Sequence, residues 1–236
     1  MTAKNHLLLE ERWQHHREPA LLAVSGGAID TISFITLFGL FTAHVTGNLV
    51  VAGASLAGDS EGIVAKLLAI PAFMVAVAAT TLIIKTRKRI TPAFLAGLFM
   101  AEVFLLLLFA LLGYIWSPFT DSGGLTTLVT GITGVMAMGV RNATTRLLLS
   151  STSPSTMMTG NVTQLTIDFI NYFQIPSGEN TSKLRKSGTS VLGFLVGAGL
   201  GAVGYILTGF ISVLIPVMMI AVVIYKEMSY VSTGRY

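Results

Sequence analysis

The chain has 236 residues, 53% of them hydrophobic and 11% charged, with a mean hydropathy of +0.74. Soluble domains carry about 25% charged residues, so a soluble enzyme, a nucleic-acid binder and a disordered protein are excluded as readings of the whole chain. The formal charge of +4 does not point to nucleic acid, because the basic residues flank apolar runs as in membrane loops, and without cysteine there is no disulfide framework or thiolate metal site.

Residues 1–18 are polar and mixed in charge, and no apolar core with a cleavage site precedes the first long apolar run. They are expected to form a cytoplasmic segment rather than a cleaved signal peptide. Trp13 fits an interfacial anchor and Pro19 a first helical turn. From 20 to 58 the chain stays apolar for 39 residues. A helix that long would measure about 58 Å, roughly twice a bilayer core. It must bend, and the expected break is the stretch 42–48, Thr-Ala-His-Val-Thr-Gly-Asn. Plain spans are expected near 64–84, 92–115, 188–209 and 210–226. The stretch 124–174 is again too long for one crossing and is interrupted by Ser- and Thr-rich residues around Pro154.

An internal repeat accounts for this layout. Gly27-Ala28-Ile29-Asp30 is similar to Gly139-Val140-Arg141-Asn142, and Thr46-Gly47-Asn48 recurs as Thr159-Gly160-Asn161, at offsets of 112 and 113 residues. Each copy reads as a helix, a short segment opening with Thr-Gly-Asn, and two more helices. The first copy is placed at 19–115, with its short segment near 42–58. The second is placed at 116–226, with its short segment near 153–174, and 227–236 forms a tail.

Basic residues set the expected topology. If each short segment enters and leaves on one side, twelve of the fifteen Lys and Arg residues are cytoplasmic, along with both termini. The outer loops then carry Asp59, Glu61 and Asp121. If the segments cross instead, either the 85–89 cluster or the 183–186 cluster falls outside, against the positive-inside rule. Three crossings per copy invert the second copy relative to the first. The expected fold is thus an all-α integral membrane protein, with six transmembrane helices and two short re-entrant segments built as two inverted repeats. The two Thr-Gly-Asn tips should meet near mid-membrane.

The stretch from Gly27-Ala28-Ile29-Asp30 to Val45-Thr46-Gly47-Asn48-Leu49, with Arg141-Asn142-Ala143 and Met158-Thr159-Gly160-Asn161-Val162, resembles the YoaK-like family of bacterial multi-pass membrane proteins. The resemblance covers most of residues 20–225. It implies a six-helix protein of the bacterial cytoplasmic membrane. It implies little about activity, because the family is defined by a domain of unknown function.

The chemistry therefore rests on residues. Gly47 and Gly160 allow close approach, and Thr46, Asn48, Thr159 and Asn161 offer hydroxyl and amide groups. The short helix after each tip would present N–H groups and its positive dipole end, which suits an anion or the electron-rich end of a neutral solute. The bland alternative is a structural break whose Asn residues satisfy loose backbone groups. Asp30, His44, Glu102, Arg141 and Asp168 lie within apolar spans, where ionisable groups are expensive and are functional candidates by default. Arg141 and Asn142 occupy the places of Ile29 and Asp30 in the second copy. The group Asp30, Glu102, Arg141, Asn142 and His44 either couples protons or, through an Arg141 pair with Asp30 or Glu102, fixes packing. Asp168 is the weakest of these candidates.

Other patterns read as structure. Gly199, Gly201 and Gly204 match G-x-G-x-x-G but lack a preceding strand. Gly193, Gly197 and Gly201 read better as a helix-packing face, with Ala72, Ala76 and Thr80 as its counterpart. The run from Phe104 to Leu112 is expected to face lipid. No zinc-binding histidine spacing, phosphate loop or nucleophile elbow occurs, so neither a metal nor a cofactor is expected. The leading expectation is a non-enzymatic carrier or channel for a small molecule or ion. The partners are lipid and that solute, without nucleic acid; self-association is compatible with the sequence but not derivable from it. An intramembrane acid–base enzyme using Asp30, His44 and Glu102 is one alternative, and a non-transporting scaffold or sensor is another.

Overall fold

The computed structural model describes residues 17–55, 58, 62–149 and 158–232. The N-terminal segment with Trp13, the loop carrying Asp59 and Glu61, the break around Pro154 and the last four residues lie outside the described residues. Every regular element among the described residues is helical: α1 (Glu18–Thr36), α2 (Gly47–Ser55), α3 (Ile63–Thr86), α4 (Pro92–Trp116), α5 (Leu125–Leu148), α6 (Met158–Gln174), α7 (Gly178–Thr208), a 3-10 turn (Gly209–Val213) and α8 (Leu214–Ser232).

Local signals explain the boundaries. Pro19 lies in the first turn of α1. That helix ends where Phe38 and Gly39 take positive φ values of 53° and 78°. The Leu37 and Gly39 N–H groups then donate to the Ser33 and Phe34 carbonyls, a glycine-type helix stop. The break expected at 42–48 therefore begins at Leu37. Thr91 and Ser177 accept hydrogen bonds from the Phe94 and Asn180 N–H groups, capping α4 and α7. The α7 helix starts ten residues ahead of the expected 188. Lys183, Arg185 and Lys186 thus sit on its first turns rather than in a loop, and Lys183 pairs with Glu179 at 2.7 Å. Gly209, with φ of 60°, opens the turn that separates α7 from α8.

Four helical stretches among the described residues are long and apolar enough to cross a membrane: Glu18–Thr36, Ile63–Thr86, Pro92–Trp116 and the bent 55-residue stretch Gly178–Ser232. The 24-residue α5 is long enough but carries six threonines, Arg141, Asn142 and Arg146. Its burial compensates. Gly131, Gly134, Val135, Ala137, Met138 and Arg141 are all enclosed by neighbouring helices. The described parts of α2 and α6, 9 and 17 residues, measure about 14 and 26 Å, against ~30 Å for a hydrocarbon core.

Packing comes in matched pairs. The α1 helix lies against α7 and α8; α5 lies against α3 and α4; α4 meets α8; α2 meets α3 and α6 meets α7. The α1–α7 contact is built on glycine. A Cβ at Gly197 would overlap the Val24 carbonyl, one at Gly201 would stand 2.5 Å from the Ala28 oxygen, and one at Gly27 would overlap the Phe194 carbonyl. In the α3–α5 contact, a Cβ at Gly139 would stand 2.7 Å from the Ala76 Cβ. Both small-residue faces read from the sequence thus occupy helix interfaces.

The aromatic run on α4 is a correction. Phe104, Leu107 and Leu111 are exposed on the outer surface, but Leu106, Phe109 and Ala110 are buried against α5 and the Gly209–Val213 turn. A helix turns a continuous apolar run to both sides at once. At one end of the bundle Lys226 reaches Glu18 at 2.9 Å, so the start of α1 and the end of α8 are neighbours.

Candidate functional site

The site grows from the break between α1 and α2. Backbone groups released where the chain breaks among packed helices need protein partners. Side chains supply them in sequence. The Phe41 N–H donates to Asn48 Oδ1, and the Asn48 amide donates back to the Phe41 carbonyl, both at 2.8 Å. The Thr42 and Ala43 N–H groups both donate to Asp30 Oδ1 at 2.8 Å, joined by the Thr42 hydroxyl at 3.3 Å. The Gly47, Asn48 and Leu49 N–H groups donate to the carbonyls of His44, Val45 and Thr46. The first turn of α2 is thereby closed on itself.

The second Asp30 oxygen holds His44. The imidazole Nδ1 stands 2.6 Å from Oδ2, with the carboxylate as acceptor, and Nε2 stays outside this contact. Asp30 is buried while His44 is partly open. The His44 ring stands edge-on to Phe194 of α7, with centroids 5.1 Å apart.

Two cavities flank this pair. The first, of about 530 Å³, is lined by Asp30, Thr31 and Phe34 of α1, by Phe41, His44, Thr46 and Gly47 of the break and α2, and by Thr159 and Phe194. The second, of about 350 Å³, is lined by Ala43, His44, Val45 and Thr46, by Phe73 and Asn142, and by Met158, Thr159 and Gly160 at the start of α6. His44, Thr46 and Thr159 line both. Residues of the two Thr-Gly-Asn segments are thus brought to one place.

The other sequence candidates fall elsewhere. Neither Asn48 nor Asn161 lines either of these two cavities. Asn48 is fully buried and engaged by the Phe41 backbone, and Asn161 donates to the Ser190 hydroxyl of α7 at 3.0 Å. Their amides are engaged by protein groups, which gives both a bracing role. Glu102 and Arg141 face each other, fully buried, between α4 and α5. Arg141 Nε donates to Glu102 Oε1 at 2.6 Å, Nη2 also meets that oxygen, and Nη1 donates to the Leu22 carbonyl of α1 at 3.0 Å. This cross-brace ties three helices and stands apart from both cavities. Asp30 is therefore not the partner of Arg141. Asp168 accepts from Gln164 on its own helix at 2.8 Å. Asn142 lines the second cavity and Asp30 the first.

The sequence reasoning missed the aromatic wall. Phe34 follows Asp30 by one helical turn and so shares its face, a signal present in the sequence. Phe34 and Phe41 rings lie 4.7 Å apart, and Phe194 arrives from α7 beside the glycine face.

Comparison with known families decides the relationship. The model for "Protein of unknown function (DUF1275)" matches residues 19–225. The chain belongs to this family. Within the DUF1275 family it is similar to the UPF0700 transmembrane protein YoaK of Bacillus subtilis (strain 168), with 27% identity over 151 residues, 63% of this chain and 64% of that relative. The chain thus aligns with just under two thirds of the relative's length. No solved structure gives a significant match. With its apolar helices and a transmembrane relative, this DUF1275 member is a membrane protein.

Proposed function

We propose that the chain is a carrier or channel for a small solute, built as two inverted repeats, whose site is the paired cavity between Thr46-Gly47 and Thr159-Gly160. The observation that carries this reading is that Thr46 and Thr159, 113 residues apart, line the same two cavities.

The repeat is supported by the packing. Exchanging the two halves maps α1–α7 onto α5–α3, α1–α8 onto α5–α4, and α2–α3 onto α6–α7, and each partner contact exists. Six crossings with α2 and α6 re-entrant return the chain to its starting side, in keeping with the Glu18–Lys226 pair. The cytoplasmic placement of that side, in a bacterial inner membrane, follows from the Lys and Arg distribution. Discontinuous helices that start at mid-depth and open onto a cavity are the usual form of a transporter site.

Gly160 gives the cleanest test. A Cβ there meets nothing within 4 Å, so added bulk enters open space, whereas one at Gly47 would press on the Phe41 ring at 3.1 Å. Thermal-shift screening of the purified chain over solute classes should find a stabilising solute whose effect and liposome uptake are lost in Gly160→Val, while the unliganded melting temperature stays unchanged. Uptake that survives Gly160→Val contradicts the site.

The acid–base enzyme keeps one observation in its favour, the 2.6 Å Asp30–His44 contact, which meets the hydrogen-bond reach such chemistry requires. Glu102, bound to Arg141, takes no part in it. Turnover of a solute by detergent-solubilised protein, with no second compartment, would favour the enzyme over the carrier.

A further inference from the structure

The electrostatics of the first cavity bear on what it accepts. Neither cavity is lined by a Lys or Arg among the described residues. Arg141 precedes Asn142 on α5 but is turned to Glu102 of α4 and the Leu22 carbonyl of α1. Lys66 of α3 lies behind the Phe38–Gly39 turn and is not a lining residue. From α3 the second cavity receives Phe73, from α7 the first receives Phe194, and from α6 both receive Thr159, all without charge. Asp30 and His44 are therefore the titratable groups facing these spaces among the described residues.

Part of the donor set an anion would need is already engaged. The N–H groups of residues 42 and 43 serve Asp30, and those of 47–49 serve the carbonyls of 44–46. The α6 helix offers a positive N-terminal end, equivalent to roughly half a charge. Asp30 with a neutral His44 offers one full negative charge. Around that charge stand Phe34, Phe41 and Phe194, whose ring faces attract cations.

We infer that the first cavity takes a small organic cation of the alkyl- or arylammonium class, and that His44 releases a proton when the cation enters. This rests on the shared-cavity reading above. With His44 protonated, the Asp30–His44 pair is neutral overall and the cavity has no net charge to offer. As the ammonium arrives, the imidazolium passes its Nε2 proton through cavity water to the bulk solution, and the cation takes over as counter-charge to Asp30. One N–H bond is broken and one O–H bond is formed on water, and the cavity's total charge is unchanged because the proton leaves it. Cation and proton thus compete for one site, the requirement for exchange of one against the other across a membrane.

The test is titration calorimetry of the full chain in detergent with three probes of similar size: benzyltrimethylammonium, benzyl alcohol and phenylacetate. Benzyltrimethylammonium should bind, and phenylacetate should not. Its affinity should fall roughly fivefold or more from about pH 8 to about pH 5.5. Runs in two buffers of different ionisation enthalpy should show proton release. His44→Asn keeps a donor aimed at Asp30; its binding should be independent of pH over that interval, without proton release. Phe194→Leu should weaken the ammonium at least about fivefold and benzyl alcohol far less. Asp30→Asn would also disturb the 42–43 backbone, so these two variants carry the test. Ammonium binding that is equal at both pH values and releases no proton overturns the exchange. Phenylacetate binding in place of the ammonium overturns this inference and leaves the shared solute cavity standing. Binding of none of the three overturns both.

Discussion

At the scale of single residues, burial among helices turns polar side chains into backbone partners. Asn48 is the clearest case, because its amide answers both the N–H and the carbonyl of Phe41. Removing it leaves two part-buried backbone groups unpaired. Asn48→Ala should therefore lower stability by about 1–3 kcal/mol, read as a drop in melting temperature of the purified chain. The Glu102–Arg141 brace makes a second prediction. Glu102→Gln leaves the guanidinium buried without its counter-charge and should destabilise by about 3–5 kcal/mol. The double change Glu102→Leu with Arg141→Met should recover most of that loss in the same measurement. A double variant no more stable than the single one would show that the ion pair itself, rather than the unpaired charge, governs stability. Sequence reasoning singled out all of these residues, because ionisable and amide groups stand out in apolar spans. It could not say which of Asp30 and Glu102 holds Arg141, since that choice depends on how three helices are rotated against one another.

At the scale of elements, the glycine face of α7 was legible from spacing alone, and the structure supplies its partner. Gly197 admits the Val24 carbonyl of α1, whereas Gly199, two residues on, points to open space. Gly197→Ala should cost about 1–3 kcal/mol by forcing α1 and α7 apart. Gly199→Ala should be neutral or slightly stabilising, since it removes backbone freedom without a clash. A thermal melt of the two variants separates the packing account from a general intolerance of α7. The break after α1 was only half legible. Gly47 and Asn48 marked its inner end, but Gly39 looked like one more small residue in an apolar run. Its role depends on the left-handed turn it shares with Phe38. The start of α7 is hidden in the sequence because a charged helix end resembles a loop. Lys183 and its neighbours continue the helix beyond the apolar stretch, where the Ser177 cap and the Glu179–Lys183 pair support it.

At the scale of the molecule, the two halves exchange helices, each packing its first long helix against the second and third long helices of the other. Thr46 and Thr159 of the two Thr-Gly-Asn segments line common cavities, beside an aromatic wall that the sequence repeat does not announce. The chain has no native cysteine, so single thiols can be placed at will. On the proposed topology, with both termini cytoplasmic, a Cys at 87 or at 185 should resist a membrane-impermeant maleimide in intact cells and react in inverted vesicles. Labelling of either in intact cells contradicts the topology.

The central claim is that the two tips share one water-accessible cavity inside the membrane. Thiol accessibility at the tips tests it most directly. Thr46→Cys and Thr159→Cys should each react with a small charged methanethiosulfonate. In the double variant, modification of the first thiol should block the second. Two unreactive thiols would mean a dry, packed centre, and two thiols that react independently would mean separate spaces; either result contradicts the account.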